Sequence, residues 1–366
     1  MPKAVVVGGG IGGLATAVAF HRRGWEVEVL ERAATIAEIG AGLSVWPNAL
    51  RALDLLGLGD EVRARALEDG AAGIRDPKGR WLARADAAVL RARYGSPIMM
   101  HRADLLDVLR RGVPESALRA GISVTEARAD GTVTHSAGTS TGDVVVGADG
   151  IRSVVRRAVC GEIAPRYSGY TAWRVVVRPS GPVCEMGETW GRGQRFGFSG
   201  LHDGRVYCFA TANMPEGTRT DGAAELRRRF GTWHEPIGDL IAAATESTVL
   251  QNDIYSLPAL KTYVSGRVAL LGDAAHAMTP NLGQGACQAL EDSVVLAAVA
   301  TEDRDLTRYD ALRRPRTQMI AARSERIGTV GQLESAAAVA VRNAVLRCVP
   351  SSVQFNALAP VLDWVG

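Results

Sequence analysis

Lysine is almost missing from this 366-residue chain, occurring only at Lys3, Lys78 and Lys261. Arginine supplies the rest of the 42 basic side chains, and 39 acidic ones balance them to a net charge of +3. So even a balance excludes the basic surface that nucleic-acid binding requires, and the arginine excess reads as compositional bias. Cysteine is also scarce: Cys160, Cys184, Cys208, Cys287 and Cys348 are scattered, odd in number and without CxxC spacing. That excludes a disulfide framework and a zinc or other metal site, and fits a reducing cytoplasm. No long apolar run is present, since the stretches around Val294–Ala300 and Ala336–Val341 are too short to span a bilayer. A strand pattern begins almost at the first residue, so no signal peptide is expected. Internal repeats and low-complexity linkers are lacking too. What is left is ordinary soluble globular composition, 47% hydrophobic and 22% charged, in a chain longer than one compact core usually takes. Two domains are the expectation.

The chain carries two textures. Ala4–Val7 is a short apolar run that reads as a buried parallel strand. Gly12–Arg23 has helical spacing, with Leu14, Ala17 and Val18 on one side and Gly24 as a stop. Glu26–Leu30 is a second strand, completing a β-α-β unit of about 30 residues. Val144–Ala148 and Arg267–Leu271 read as further buried strands, Arg102–Arg111 and Gly285–Ala300 as helices. Between them, Tyr170–Arg178, Arg195–Ser199 and Arg205–Ala212 alternate or carry β-branched and aromatic residues, as an antiparallel sheet does. Arg308–Arg347 is mostly helical, and Pro350 and Pro360 break up the tail. The spacing thus predicts an α/β fold: a Rossmann-like domain, an inserted antiparallel β-sheet domain and a helical C-terminal part.

Gly8, Gly10 and Gly13 form G-x-G-x-x-G directly after a strand and open a helix. Each glycine answers a physical need: Gly8 the tight turn, Gly10 the approach of backbone to a pyrophosphate, Gly13 the close packing of helix on sheet. The helix N-terminus offers unpaired N–H groups and partial positive charge to phosphates. Glu31, about 20 residues on at the end of the second strand, is placed to accept from a ribose hydroxyl and would repel a 2′-phosphate. Arg32 follows it and is grouped with the cofactor-binding positions. This segment alone leaves FAD and NAD both open.

Two further motifs, Gly147-Ala148-Asp149-Gly150-Ile151-Arg152-Ser153 and Gly272-Asp273-Ala274-Ala275-His276-Ala277-Met278-Thr279-Pro280 with its continuation to Ala286, complete a set of three. With the stretch Gly40–Asn48, they resemble the signatures of the single-component (group A) FAD-dependent aromatic hydroxylases. The branch resembled is that of the urate, salicylate and hydroxybenzoate hydroxylases, from the N-terminus to about Ala300. The resemblance implies FAD, with NADH or NADPH as a transient electron donor, and the absence of a second G-x-G-x-x-G agrees. It implies dioxygen as co-substrate, and one oxygen atom delivered to a small aromatic, heteroaromatic or polyketide-like substrate through a flavin C4a-hydroperoxide. Hydroxylation and epoxidation both stay open, as does an oxidase or reductase on the same fold without oxygen insertion. It places Arg102, Asp149, Asp273, Pro280, Gly283, Gly285 and Ala286 at the FAD, and Asp149 with Arg152 at the nicotinamide. Read as residues alone, Asp149 and Arg152 are a salt bridge bracing a strand-turn-helix junction, and His276 is a turn residue beside the cofactor.

The salicylate-like branch carries a phenol-deprotonating histidine in G-H-x-x-x-Y-P. Here the matching stretch is Gly193-Gln194-Arg195-Phe196-Gly197-Phe198-Ser199-Gly200, with Arg195 at the histidine's place. An arginine is no base at neutral pH but can pair with an anion or polarise a carbonyl. The urate branch is similar, with an arginine here and a tyrosine on the next strand, where Tyr207 stands. Arg195 and Tyr207 are therefore the candidate catalytic residues, and Trp46, Trp173, Phe196 and Phe198 candidate pocket walls. The expected division is 1–72, 101–165 and 262–330 for the FAD-binding domain, 73–100 and 166–261 for the substrate domain, and 331–366 for a C-terminal segment. A small organic substrate, no membrane span and a monomer or homodimer complete the expectation.

Overall fold

The computed structural model describes residues 1–35, 41–68, 73–84, 87–179, 181, 186–303, 305–364 and 366. Gly40 and Cys184 lie outside them. The first sheet has six strands in the order Val264–Ser265, Val268–Leu270, Val144–Gly147, Lys3–Val7, Glu26–Glu31 and Leu118–Ala120. All neighbours are parallel except the first pair. Val268, Val145, Val5 and Glu28 fall in one row across it, so three distant parts of the chain share four strands. The valine runs of the middle strands are buried because helices cover the sheet, the first being Ile11–His21, which packs against Gly285–Glu302. Glu28, at the less buried end of that row, is neutralised by Lys3 at 2.9 Å and by Arg119.

The second sheet has seven strands: Leu250–Ser256, Arg166–Val177, Val206–Asn213, Gln194–Gly200, Gly187–Trp190, Gly73–Arg75 and Trp81–Arg84. It is antiparallel but for one parallel pairing, Gly187–Trp190 with Gly73–Arg75. Strand periodicity divides its side chains. Trp173, Val175, Phe196, Phe198 and Cys208 bury one face against the helices Gly222–Phe230 and Ile237–Ala242. The opposite face is turned towards the first sheet and carries the candidate site.

Ile98–His101 pairs with Gly42–Val45 and Leu67–Glu68 in a separate three-stranded sheet, not with the seven strands. The C-terminal part forms Leu306–Gly331, Ala336–Cys348 and Ser351–Leu362. The tail is thus less broken than its prolines suggest. Pro350 directly precedes the last helix, where a fixed φ does no harm, and Pro360 sits near its end. That end is held by internal cations: Arg316 donates to the carbonyls of Pro360 and Val361, at 2.9 and 2.7 Å, and Arg51 to those of Leu362 and Trp364.

Candidate functional site

The glycine loop joins the strand Lys3–Val7 to the helix Ile11–His21. Gly8 has φ +107°, and a Cβ there would stand 2.4 Å from the carbonyl oxygen of Ala148. A Cβ on Gly13 would stand 1.9 Å from the oxygen of Gly8. Both positions admit only hydrogen. Gly10 differs, because a Cβ there would meet nothing within 4 Å. It faces open space at the helix N-terminus, where backbone N–H groups gather. The Glu31 carboxylate flanks that space and already accepts from the N–H groups of Gly9 and Ala33, each at 2.7 Å. Arg32 is exposed beside it.

The other two turns approach the same loop. Asp149 accepts from the Ser153 hydroxyl at 2.5 Å and from the N–H groups of Val154 and Val155 at 2.7 and 3.1 Å. Those bonds brace the junction, whereas the salt bridge expected with Arg152 is not formed: Arg152 is exposed. The bracing cation is Arg156, buried and donating to the carbonyls of Ile151, Ile163 and Ala274. An exposed arginine would lose side-chain entropy for a bond that Ser153 and two amides make at no such cost.

Asp273 begins the short helix Asp273–His276 and is exposed. It faces Arg102, the first residue of the helix Arg102–Arg111: burial lowers the Arg102 pKa while the Asp273 carboxylate acts the other way. Asp292, fully buried on the helix Gly285–Glu302, lies behind the turn and accepts from the N–H of Gly272 at 3.0 Å and from His276 Nε2 at 2.6 Å. His276 therefore faces the interior, its ring 6.0 Å from that of Tyr263. Arg313 bonds Asp292 and Glu291, each at 2.6 Å. Burial would raise Asp292, but His276 and Arg313 hold it down to about 2. Glu291 also accepts from Asn48, which reaches Gln284 just ahead of the helix. Gly283 has φ +62°, and its absent side chain leaves room for the Trp46 indole, 3.0 Å from where a Cβ would stand. The Trp46 Nε1 is buried without a hydrogen-bond partner among the described residues. A buried donor of this kind calls for an acceptor.

Above this loop lies the free face of the seven-stranded sheet. Trp190, Arg195, Thr211 and Ala172 form one row across it, and Glu188, Gly197, Phe209 and Arg174 the next. Arg195 is only 2% exposed. Its Nε donates to Gln332 Oε1 at 3.1 Å and more weakly to Thr211, its Nη2 to Asn281 Oδ1, and its Nη1 lies 3.2 Å from Glu188 Oε1. Asn281 belongs to the turn Pro280–Leu282, so this one arginine ties the sheet to the third motif. Tyr207 is buried under the strand Gly42–Val45, where a Cβ on Gly42 would stand 2.3 Å from its ring. Burial pushes its phenol above the ordinary value, against the opposing effect of Arg174. It is a donor at neutral pH, not a base.

Of the aromatic walls expected from sequence, Trp173, Phe196 and Phe198 belong to the opposite face and its helix-covered core, and Trp46 packs with the first domain's core. The rings on the free face are Tyr170, Trp190, Tyr207 and Phe209; the last three sit in rows one position from those of Phe196 and Phe198. A period of two makes that slip a change of face. Sequence reasoning also missed Glu188, Asn281, Gln332 and Arg342. Arg342 is buried, stacks 5.5 Å from the Trp190 ring centre and donates to the carbonyls of Gly331 and Gly191.

A parallel sheet ending in a glycine loop, tied through Arg195 and Asn281 to an antiparallel sheet, defines a nucleotide-binding protein with a second unit held against its third motif. The chain belongs to the FAD binding domain family, whose model matches residues 2–324. It is 41% identical over 360 residues to the aurachin C monooxygenase/isomerase of Stigmatella aurantiaca, covering 95% of this chain and 94% of that one. It is 36% identical over 370 aligned positions to the 2-heptyl-3-hydroxy-4(1H)-quinolone synthase of Pseudomonas aeruginosa, covering 95% and 94%. Among solved structures it superposes on Klebsiella pneumoniae HpxO complexed with FAD and uric acid with a TM-score of 0.91, at 32% identity, covering 99% and 96%. The protein is an FAD-dependent monooxygenase of the aromatic hydroxylase kind. Among the described residues no helix is long and apolar enough to cross a membrane.

Proposed function

We propose that the enzyme uses NAD(P)H and dioxygen to hydroxylate a fused nitrogen heterocycle whose ring N–H is conjugated to a carbonyl. That chemistry is common to the 4(1H)-quinolone and the uric acid named for two of its relatives. The observation that carries the reading is Arg195: a buried arginine, held over the Pro280–Leu282 turn, at the place where a phenol-directed enzyme would need a base. An arginine suits a carbonyl or an oxyanion. Trp190, Tyr207 and Phe209 give a planar ring aromatic neighbours, and the Tyr207 phenol supplies a donor.

The residues fit FAD. Gly8, Gly10 and Gly13 with the first helix would hold the pyrophosphate, and Glu31 the adenosine ribose with Arg32 at its rim. Arg102 and Asp273 would hold the ribityl chain. Asp149 braces the turn beside it. Pro280, Gly283, Gly285 and Ala286 would face the flavin ring, near the unbonded Trp46 N–H. Bound there, FAD supplies the electron transfer and the activation of dioxygen. The protein's own part is to hold the ring, exclude water and move a proton. In this reading 73–84 and 166–261 form the substrate unit.

The test is a panel of such heterocycles scored by the rise in NADH or NADPH oxidation, followed by mass analysis of product formed under ¹⁸O-labelled dioxygen. One labelled oxygen in the product is expected. Substrate-dependent oxidation with no label would reject oxygen insertion in favour of an oxidase or reductase.

A further inference from the structure

We infer that Glu188 is the proton acceptor of the reaction, working as a pair with Arg195; this rests on the substrate reading above. Glu188 lies on the strand Gly187–Trp190, on the free face of the sheet, with its side chain 25% exposed. Its Oε1 stands 3.2 Å from Arg195 Nη1, yet the contact lacks hydrogen-bond geometry. That oxygen is buried and has no hydrogen-bond partner among the described residues. A structural ion pair would use the strong, short geometry that Arg313 makes with Asp292 and Glu291. Glu188 instead keeps an acceptor unspent beside a cation whose other nitrogens are bonded to Gln332, Thr211 and Asn281.

The carboxylate as a whole is a quarter exposed on the free face, and its row leaves room beside it. Gly197 stands between Glu188 and Phe209 in the same row, and a Cβ there would lie 2.2 Å from the Phe209 ring. The missing side chain lets the ring lean along the sheet. Several charged and titratable groups surround Glu188: Arg75 and His234 line the same crevice, and Arg174 stands at the far end of its row. Arg195 is on the neighbouring strand and the Tyr170 phenol further across the face; Arg342 lies behind Trp190. Arg195 thus stands beside both the carboxylate and the ring's place, and its positive charge favours an anionic ring.

The proton balance is simple. As a ring carbon forms its bond to oxygen and the oxygen–oxygen bond breaks, Glu188 Oε1 takes the proton from the ring N–H, or from the O–H of its enol tautomer. Arg195 faces the oxygen that then carries the negative charge. When the hydroxylated carbon loses its hydrogen as a proton, Glu188 returns one to the nitrogen. The proton from carbon goes to the second oxygen atom, which leaves as water with the proton that accompanies NAD(P)H oxidation, and NAD(P)H supplies the two electrons.

The experiment is Glu188→Gln in the FAD-loaded enzyme, with Glu188→Asp as the variant that keeps a carboxylate. Product formation at saturating ring and oxygen should fall on the order of 10²-fold or more in Glu188→Gln at neutral pH. It should recover as pH passes the free ring's own ionisation, where no acceptor is needed. Glu188→Asp should keep the wild-type shape of the pH profile. FAD content should match wild type in both. An unchanged rate in Glu188→Gln, or a loss that pH does not restore, overturns the proposal. A wild-type enzyme that hydroxylates none of the heterocycles overturns the substrate reading, and this inference with it.

Discussion

Asp292 fixes the backbone of Gly272: its carboxylate accepts that residue's N–H at 3.0 Å, at φ +56°, one position before Asp273. The same oxygen holds His276, and the other oxygen holds Arg313. A single buried carboxylate on one helix thus sets a turn on the far side of the sheet edge. Asp292→Ala takes one of two buried carboxylates from Arg313, leaving Glu291, and strips His276 of its partner; it should lower unfolding free energy by about 3 kcal/mol. Urea denaturation measures the loss, and flavin should be released in parallel.

Acid should act through the same group. Its folded pKa of about 2 lies below an unfolded value near 3.9, so its contribution is whole above about pH 4. The contribution, about 2 kcal/mol, should disappear as pH falls from 4 towards 2. Denaturation midpoints at pH 6 and pH 3 should differ in the wild type, and by less in Asp292→Asn.

Gly10 and Gly13 should respond oppositely to alanine. Gly10→Ala adds a methyl group to open space, so the flavin-free protein should keep its stability while FAD affinity falls tenfold or more, on the order of 1.4 kcal/mol. Gly13→Ala drives a methyl group against the Gly8 carbonyl and should destabilise the flavin-free protein by about 1–3 kcal/mol. Thermal melting of both apoproteins, with flavin titration of the first, separates the effects. Equal melting of the two would be contrary to this account.

Asp273→Ala removes an exposed carboxylate and should leave the fold intact while the protein purifies without its yellow colour. Absorbance at the flavin band against protein absorbance reports it.

Arg195→Ala should retain FAD and still oxidise NAD(P)H, but with product falling and hydrogen peroxide rising. The link from the sheet to Asn281 is then lost, and with it the closure that keeps water out. Peroxide assay against product gives the coupling ratio directly.

What could be read from the chain in advance follows from where the physics is local. The glycine loop, its flanking strand and helix, and Glu31 each depend on residues within one β-α-β unit, and the helix Arg102–Arg111 appears over its expected span. The Gly42–Val45 strand, its partner Ile98–His101 and the helix Pro47–Leu55 have no element assigned from sequence, because distant contacts decide them. The site was legible only in part. Arg195 and Tyr207 occupy the same face, but which neighbours share it depends on strand parity. One residue of phase moved Trp173, Phe196 and Phe198 out and brought Trp190 and Phe209 in. Glu188, Gln332 and Arg342 come from segments with no motif at all, and only tertiary contact reveals them.

The row Val268–Val145–Val5–Glu28 also dictates when the protein can exist. On the ribosome, the first strand emerges with one neighbour close behind it, yet its sheet stays open until residue 270 has been made. Closure over so long an interval is slow, so the nascent chain presents bare valine strands for most of its synthesis. Flavin capture is then a late event, and shortened chains ending before Leu270 should be substrates for chaperones and proteases, not partial enzymes.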